Sequence, residues 1–493
     1  MKKNTVKTTL LLVLLLTLLV GWVGIQGPLS DTTAPLSADN LNLIFVVSPD
    51  LAYHAPGDIN PDTANLSNQG LQRSLLMATY LKKQVLGTKN VNRIYALEPM
   101  THLQTAKSLP DMAALGYIQQ FAMLNQISLL GVGGYGSPLT TGNSYPINVS
   151  YATGGPLPAN VIAPDPLSPC RTCQGLDFND TGGNNEALVN GILKINYPGF
   201  YVFSAPWETT SALMANINKK MGYNLSLPSA YVGPNMIYAI SITPSGSASL
   251  VTYDSQLNPP STYPVLPEAV PSAPCNAQTP FNYTATDGVD GAKIPEGANT
   301  NETFHMIRHA EAHPAVGWDD GNIVAAGQWR ALALANALRG KINPSEVYTI
   351  DPAQVTPNNV FIAGPINFSY VRTALTIEPY AIANNLPFYL VSDIDLIAPD
   401  SPKQTSDKFF RGGAYSNKTI LLSWEHDHYP PIVAALLASY FPAGNPPKGP
   451  TWPGSDYGTI WTVKLDAHGN LTVNNELCEG IDSTKLPDTA PQF

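Results

Sequence analysis

Charge is scarce in this 493-residue chain, with 26 Lys and Arg against 36 Asp and Glu and a net charge of −10. Without a basic excess there is no electrostatic footprint for nucleic acid, so no DNA or RNA partner is expected. A second apolar run of membrane-spanning length is also missing. Only the amino terminus has one candidate, where Lys2 and Lys3 precede an apolar stretch from Leu10 to Val20 interrupted by Thr17. That stretch has the length of a signal-peptide core and falls short of the roughly 20 residues of a full span. Residues 1–27 are therefore expected to be a signal peptide or an N-terminal membrane anchor, with the rest of the chain exported. No Ala-x-Ala site and no lipobox cysteine stand beside the stretch, which leaves both cleavage and retention open. Cysteine is limited to Cys170, Cys173, Cys275 and Cys478. A single CxxC with no second one lacks the ligands of a zinc site, so a small loop disulfide between Cys170 and Cys173 is the expectation. Cys275 and Cys478 would then pair. No cofactor and no metal is expected.

Proline, by contrast, is abundant and unevenly spread. A run through Pro259, Pro260, Pro264, Pro267, Pro271 and Pro274 reads as an extended, semi-rigid linker over residues 257–300. It divides the chain into an expected first domain at 38–256 and a second at 301–493, each long enough to bury its own core. The Gly-, Pro-, Ser- and Asn-rich stretch from Gly131 to Asn185 is too long for an ordinary connection and reads as an insertion.

The chemistry is concentrated in the second half. Phe304 to Ile307 has the pattern of a buried strand, and Arg308, His309, Ala310 and Glu311 follow at the carboxyl end, where open α/β sheets bind ligands. A helix from Gly327, with Ala and Leu at helical spacing, comes next. Val360 to Ala363 reads as a further strand, and the segment from Tyr370 opens a helix carrying Arg372. Thr419 to Trp424 then delivers Glu425, His426, Asp427 and His428.

In order and spacing these segments resemble the histidine phosphatase superfamily, which includes phosphoglycerate mutases and histidine acid phosphatases. Arg308-His309-Ala310-Glu311 matches its Arg-His-Gly/Ala followed by Glu. The helix from Gly327, the segment from Arg372 to Thr376 and the strand-end His426 match its later motifs, and Asp456 to Trp461 begins a closing strand. The resemblance covers about residues 303–481. It implies an α/β fold, here two three-layer α/β/α domains with mostly parallel sheets. It also implies His309 as a nucleophile toward phosphorus, with Arg308 and Arg372 on the phosphoryl oxygens and His426 donating to the same group. Acid phosphatase members place the proton donor directly after the second histidine, which is Asp427 here. Glu311, Asp393 and Asp395 are the other carboxylates near the site. His305, His313 and His428 are read as structural, since a metal reading leaves both arginines unexplained.

The first half repeats the pattern without the chemistry. Leu43 to Val47 parallels the strand before Arg308, with Ser48 at the Arg308 position and Pro49 at that of His309. Gly70 to Ala78 parallels Gly327 to Ala335, and Arg93 to Pro99 parallels Glu346 to Pro352. Thr101 is expected in place of Arg372. Trp207-Glu208 is paired with Trp424-Glu425, which puts Thr209 in place of His426. The expectation is an exported phosphatase for a small phosphorylated substrate, with an inactive first repeat. The alternative is a non-catalytic phospholigand-binding or sensor protein on the same fold.

Overall fold

The seven residues Leu41–Val47, all apolar except Asn42, are all buried in strand β1, because a central strand of a sheet covered on both faces has no solvent side. The computed structural model describes residues 33–493 except 54–56, 130–138, 141, 152–155, 162–173, 276, 315–318, 355–367, 395–398, 443 and 445. The signal segment, Cys170 and Cys173, Val360 to Ala363 and Asp395 lie outside the described residues. So does much of the expected insertion.

The first half contributes β1, β2 (Arg93–Ala96), β3 (Ile147–Asn148), β4 (Gly199–Ala205), β5 (Met236–Ile242) and β6 (Ala248–Asp254), with helices α1 (Asn68–Tyr80), α2 (Ala113–Met123), α3 (Asn184–Ile195) and α4 (Trp207–Met221). The second contributes β7 (Asn282–Ala285), β8 (Glu302–Arg308), β9 (Glu346–Ile350), β10 (Phe388–Val391), β11 (Thr419–Trp424), β12 (Thr459–Leu465) and β13 (Leu471–Cys478). Its helices are α5 (Ala325–Ala337), α6 (Arg372–Ala383), α7 (Ser401–Phe410) and α8 (Tyr429–Tyr440).

The fold is α/β, and its two sheets run in matching order. One is β6-β5-β1-β4-β2-β3 and the other β7-β13-β12-β8-β11-β9-β10, so that they correspond strand for strand apart from β7. In each, four central and inner strands are parallel and the strands beyond β1 or β8 are antiparallel. A further correspondence is local. Arg73 on α1 donates through Nε to Asp58 at 2.8 Å, and Arg330 on α5 donates to Glu311, each pair being buried. Gly70 and Gly327 open the way for these contacts, since a Cβ would fall 2.0 Å from the Asp58 carbonyl oxygen and 2.4 Å from that of Glu311.

The linker is more structured than its prolines suggest. β7 lies within it and pairs antiparallel with β13, Asn282 opposite Asn474. Cys275 is disulfide-bonded to Cys478 at the end of β13, with Cα atoms 5.5 Å apart. Residues 34–493 form one compact unit. A single buried cluster includes Ile44, Leu75, Tyr117 and Phe121 from the first half with Ile307, Leu332, Ile377 and Leu421 from the second. Each such side chain contributes roughly 1.5–3 kcal/mol by leaving water, so the halves share a core through α2, α5 and α6. Among the described residues no helix is long and apolar enough to cross a membrane.

Candidate active site

β8 and β11 are parallel neighbours, Arg308 opposite Trp424, so their carboxyl ends open side by side. The backbone N–H of His309 donates to the Trp424 carbonyl at 2.9 Å and carries the pairing one residue further. This register brings Arg308 and His309 beside Glu425 and His426. The amino terminus of α6 supplies Arg372. It is fixed by Gly321, whose carbonyl accepts from the N–H groups of Val371 and Arg372 at 3.0 Å each. Gly321 has φ of +74°, and a Cβ there would lie 2.0 Å from the Ser369 carbonyl oxygen, so the turn requires glycine.

His309 is fully buried. Its Nδ1 is 2.7 Å from the Ala310 carbonyl oxygen and its Nε2 2.9 Å from Oε1 of Glu425. A carbonyl oxygen only accepts, so Nδ1 carries a proton and Nε2 is the atom presented to the site. Glu425 is the centre of the network. Oε1 also meets Nδ1 of His426 at 3.2 Å, and Oε2 accepts from the Tyr370 hydroxyl at 2.5 Å. Burial pushes the Glu425 carboxyl up, but the His309 charge and hydrogen bonds from His309 and His426 outweigh it and hold the group well below the usual range.

The two arginines flank this centre. Arg308 donates through Nη1 to the carbonyl oxygens of Gly454 and Asp456, and its guanidinium lies 3.8 Å from the Tyr457 ring centroid. Arg372 is paired with Asp319 and lies 5.1 Å from the ring centroid of Tyr370. The Nε–H of each arginine is buried and has no hydrogen-bond partner among the described residues. A buried unfilled donor costs about 1–3 kcal/mol, so both are poised for an acceptor, and charge-assisted donors of this kind suit a phosphate.

Of the residues expected from the sequence, Arg308, His309, Arg372 and His426 converge. Glu311 does not join them. Its carboxylate accepts from Nε and Nη2 of the fully buried Arg330, which is also paired with Glu479, so burial has committed it to a structural pair. Asp427 is at the open side, its side chain 70% exposed. One of its carboxylate oxygens lies within 4.8 Å of donor atoms of Glu425 and His426. Asp393 binds Lys408 at the surface. His305 faces Thr462 at 3.0 Å and burial lowers it to about 4, and His428 stacks on Trp424 with ring centroids 4.5 Å apart. His313 lies 3.6 Å from Asp319, whose own carboxylate binds Arg372. Glu425 could be suspected from its Trp-Glu-His setting. Tyr370, Tyr457 and Asp319 come from loops and helix ends whose approach no local pattern encodes.

The first half differs from its expected alignment. The N–H of Ser48 donates to the Ala205 carbonyl at 3.0 Å, as that of His309 does to Trp424. With Val47 opposite Ala205 and Arg308 opposite Trp424, Val47 takes the place of Arg308, and Ser48 that of His309. Pro206 and Trp207 then follow the strand as Glu425 and His426 do, so Thr209 is not at the His426 position. In chain order α2 lies between β2 and β3 as α6 lies between β9 and β10, and by that order Ala113 stands where Arg372 does. Thr101 instead precedes a short antiparallel ladder between 103–104 and 109–110. The recurring Trp-Glu pair suggests an alignment that the hydrogen-bond ladders do not share. Neither version supplies the first half with a nucleophile or an arginine.

No family model and no curated protein matches the chain. Similar solved structures include a phosphoglycerate mutase from Plasmodium falciparum, 11% identical, with 37% of this chain and 94% of that one covered at a TM-score of 0.23. A mycobacterial glucosyl-3-phosphoglycerate phosphatase is 12% identical, covering 35% of this chain and 97% of that one at 0.22. A phosphoserine phosphatase from Entamoeba histolytica, in complex with 3-phosphoglyceric acid, is 14% identical, covering 36% of this chain and 100% of that one at 0.22.

Proposed function

We propose that the second half hydrolyses phosphate monoesters of small molecules through a phosphohistidine on His309. The observation that carries the reading is the pair of unfilled, buried Nε–H donors of Arg308 and Arg372 beside a histidine whose Nε2 already faces an anion. A substrate phosphate takes the place of the Glu425 carboxylate, and the Nε2 proton leaves with Glu425. The freed lone pair of Nε2 then bonds to phosphorus as the ester oxygen departs. Arg308, Arg372 and His426 stabilise charge on the equatorial oxygens. The departing oxygen takes a proton from Glu425 or from Asp427 at the open side. Water attacks the phosphohistidine, releasing orthophosphate and returning His309 to its starting state.

The matching strand orders support reading the first half as a degenerate copy of the second, without chemistry of its own toward phosphate. The amino-terminal apolar stretch and the Cys275–Cys478 disulfide together support an exported protein.

The test is hydrolysis of an aryl phosphate over acidic to neutral pH, with and without EDTA, beside the His309→Ala protein. Turnover that resists EDTA, vanishes in the variant and passes through an acid-labile phosphoprotein is expected. Release of one equivalent without turnover would instead make the protein a phospholigand binder, and no reaction in either protein would sink the phosphohistidine reading.

A further inference from the structure

The crevice at the carboxyl ends of β1 and β2 holds the reverse of the charge found in the second half. Asp50 follows Ser48, the residue at the position of His309. Asp111 precedes the amino terminus of α2, where the second half has Tyr370 before Arg372. Glu208 lies in the first turn of α4. His102 is the imidazole beside them among the described residues; the charges of His102, Asp50 and Glu208 act on Asp111, and the buried Glu378 of α6 feels the Asp111 charge.

We propose that Asp50, His102 and Asp111 form a site for one divalent transition-metal ion of the zinc or manganese kind, with Glu208 or water completing its shell. One donor atom from each of the three lies within 4.8 Å of the others. A tetrahedral ion with bonds of about 2.0–2.2 Å sets its donors roughly 3.3–3.6 Å apart, so side-chain adjustment suffices. Nε2 of His102 and Oδ2 of Asp50 are already 2.8 Å apart.

The carboxylates are oriented as ligands are. Asp50 accepts the Ala52 N–H through Oδ1 at 2.7 Å and turns Oδ2 to His102. Asp111 accepts the Ala113 N–H through Oδ1 at 3.0 Å, while its Oδ2, in a fully buried residue, is buried with no hydrogen-bond partner among the described residues. The His102 ring is held flat against Phe178, with centroids 3.6 Å apart and an interplanar angle of 16°. Pinned second oxygens and a packed imidazole are what fixes ligand direction around a metal. An imidazole with carboxylates suits zinc or manganese better than calcium.

The other three-residue group of this type among the described residues, Glu425, His426 and Asp427, is a poorer candidate. Glu425 there is bonded to His309, His426 and Tyr370, and the Arg372 charge acts on it.

The experiment strips the full protein with EDTA, re-equilibrates it with ZnCl2 or MnCl2, removes excess by gel filtration and measures retained metal and the melting temperature. One equivalent retained by the wild type and by His426→Ala is expected, with a rise in melting temperature. Loss of both effects is expected in Asp111→Asn and His102→Gln. Asp111→Asn keeps the shape and the acceptor for Ala113, and an EDTA-state melting temperature equal to the wild type's shows that it has folded. Metal retained at well under one equivalent by the wild type, or retained equally by Asp111→Asn or by His102→Gln, would overturn the proposal. Metal retention requires no turnover, so this result stands apart from the fate of the phosphatase reading.

Discussion

Oε1 of Glu425 stands 2.9 Å from Nε2 of His309, so an internal carboxylate occupies the place where the proposed chemistry requires the substrate's phosphoryl group. The site is filled by the protein's own anion, and any phosphate must compete with it.

Glu425→Gln replaces that anion with a weaker competitor. Inhibition of the aryl phosphatase reaction by orthophosphate or vanadate should strengthen about tenfold, roughly 1.4 kcal/mol. The same variant should alter acid stability. Glu425 is held well below its ordinary range in the folded state, so the stability it contributes is present above about pH 4.5 and is lost as the pH falls toward the folded value. A melting curve that drops less steeply below about pH 4.5 in Glu425→Gln is expected, and an unchanged acid profile would argue against the His309–Glu425 pair.

In the proposed reaction Asp427, whose side chain is 70% exposed, is one of the two candidate proton donors to the leaving group. Asp427→Asn should therefore slow hydrolysis of alkyl phosphates by about 10²-fold while leaving nitrophenyl phosphate nearly unaffected, because a good leaving group needs no proton. Equal losses on both substrates would assign Asp427 to binding, and no loss on either would leave Glu425 as the donor.

The parts of this site that lay in contiguous motifs were legible, and those assembled by loops were not. Arg308 and His309 follow an apolar run, His426 follows another, and Arg372 opens a helix. These placements need only strand and helix periodicity. Glu311 follows the Arg-His pair and counts as a site candidate by sequence because its commitment depends on Arg330, 19 residues away on α5, and no spacing rule distinguishes a catalytic carboxylate from one paired in the core. The one-residue error at Ser48 has the same origin. A strand of consecutive buried residues such as Leu41–Val47 lacks the alternation that would fix its register from sequence. The linker's β7 was hidden by its proline-rich surroundings.

The Cys275–Cys478 bond closes a long stretch of chain, with a sequence separation of 203, and ties the segment before β7 to the end of β13. Cys275→Ser with Cys478→Ser should lower stability by about 2–4 kcal/mol. Thermal unfolding with and without a thiol reductant checks this, and a wild type indifferent to reductant would contradict it. Any aryl phosphatase activity measured well below the transition should be retained, since neither cysteine is among the residues of the proposed site.

Glu98 and Asp351 occupy the same place in the parallel segments Arg93 to Pro99 and Glu346 to Pro352, and they meet where the two halves share their core. Both are fully buried. Burial and then the Asp351 charge hold Glu98 well above the usual carboxyl range, and burial raises Asp351 to about 6. A group whose folded value is raised binds its proton more tightly when folded. Its contribution is thus complete below the unfolded value near 4.5 and is lost as the pH climbs through the folded one. The wild type should lose melting temperature as the pH climbs through about 6, where Asp351 gives up its proton, and lose more at the higher pH where Glu98 does. Glu98→Gln supplies a permanent N–H donor to Asp351 and has no proton to lose. It should be more stable than the wild type at about pH 8, with the difference shrinking or reversing near pH 5. Parallel melting profiles for the two proteins across that range would mean that the two carboxyls do not share a proton, and that the interface is held by apolar packing alone.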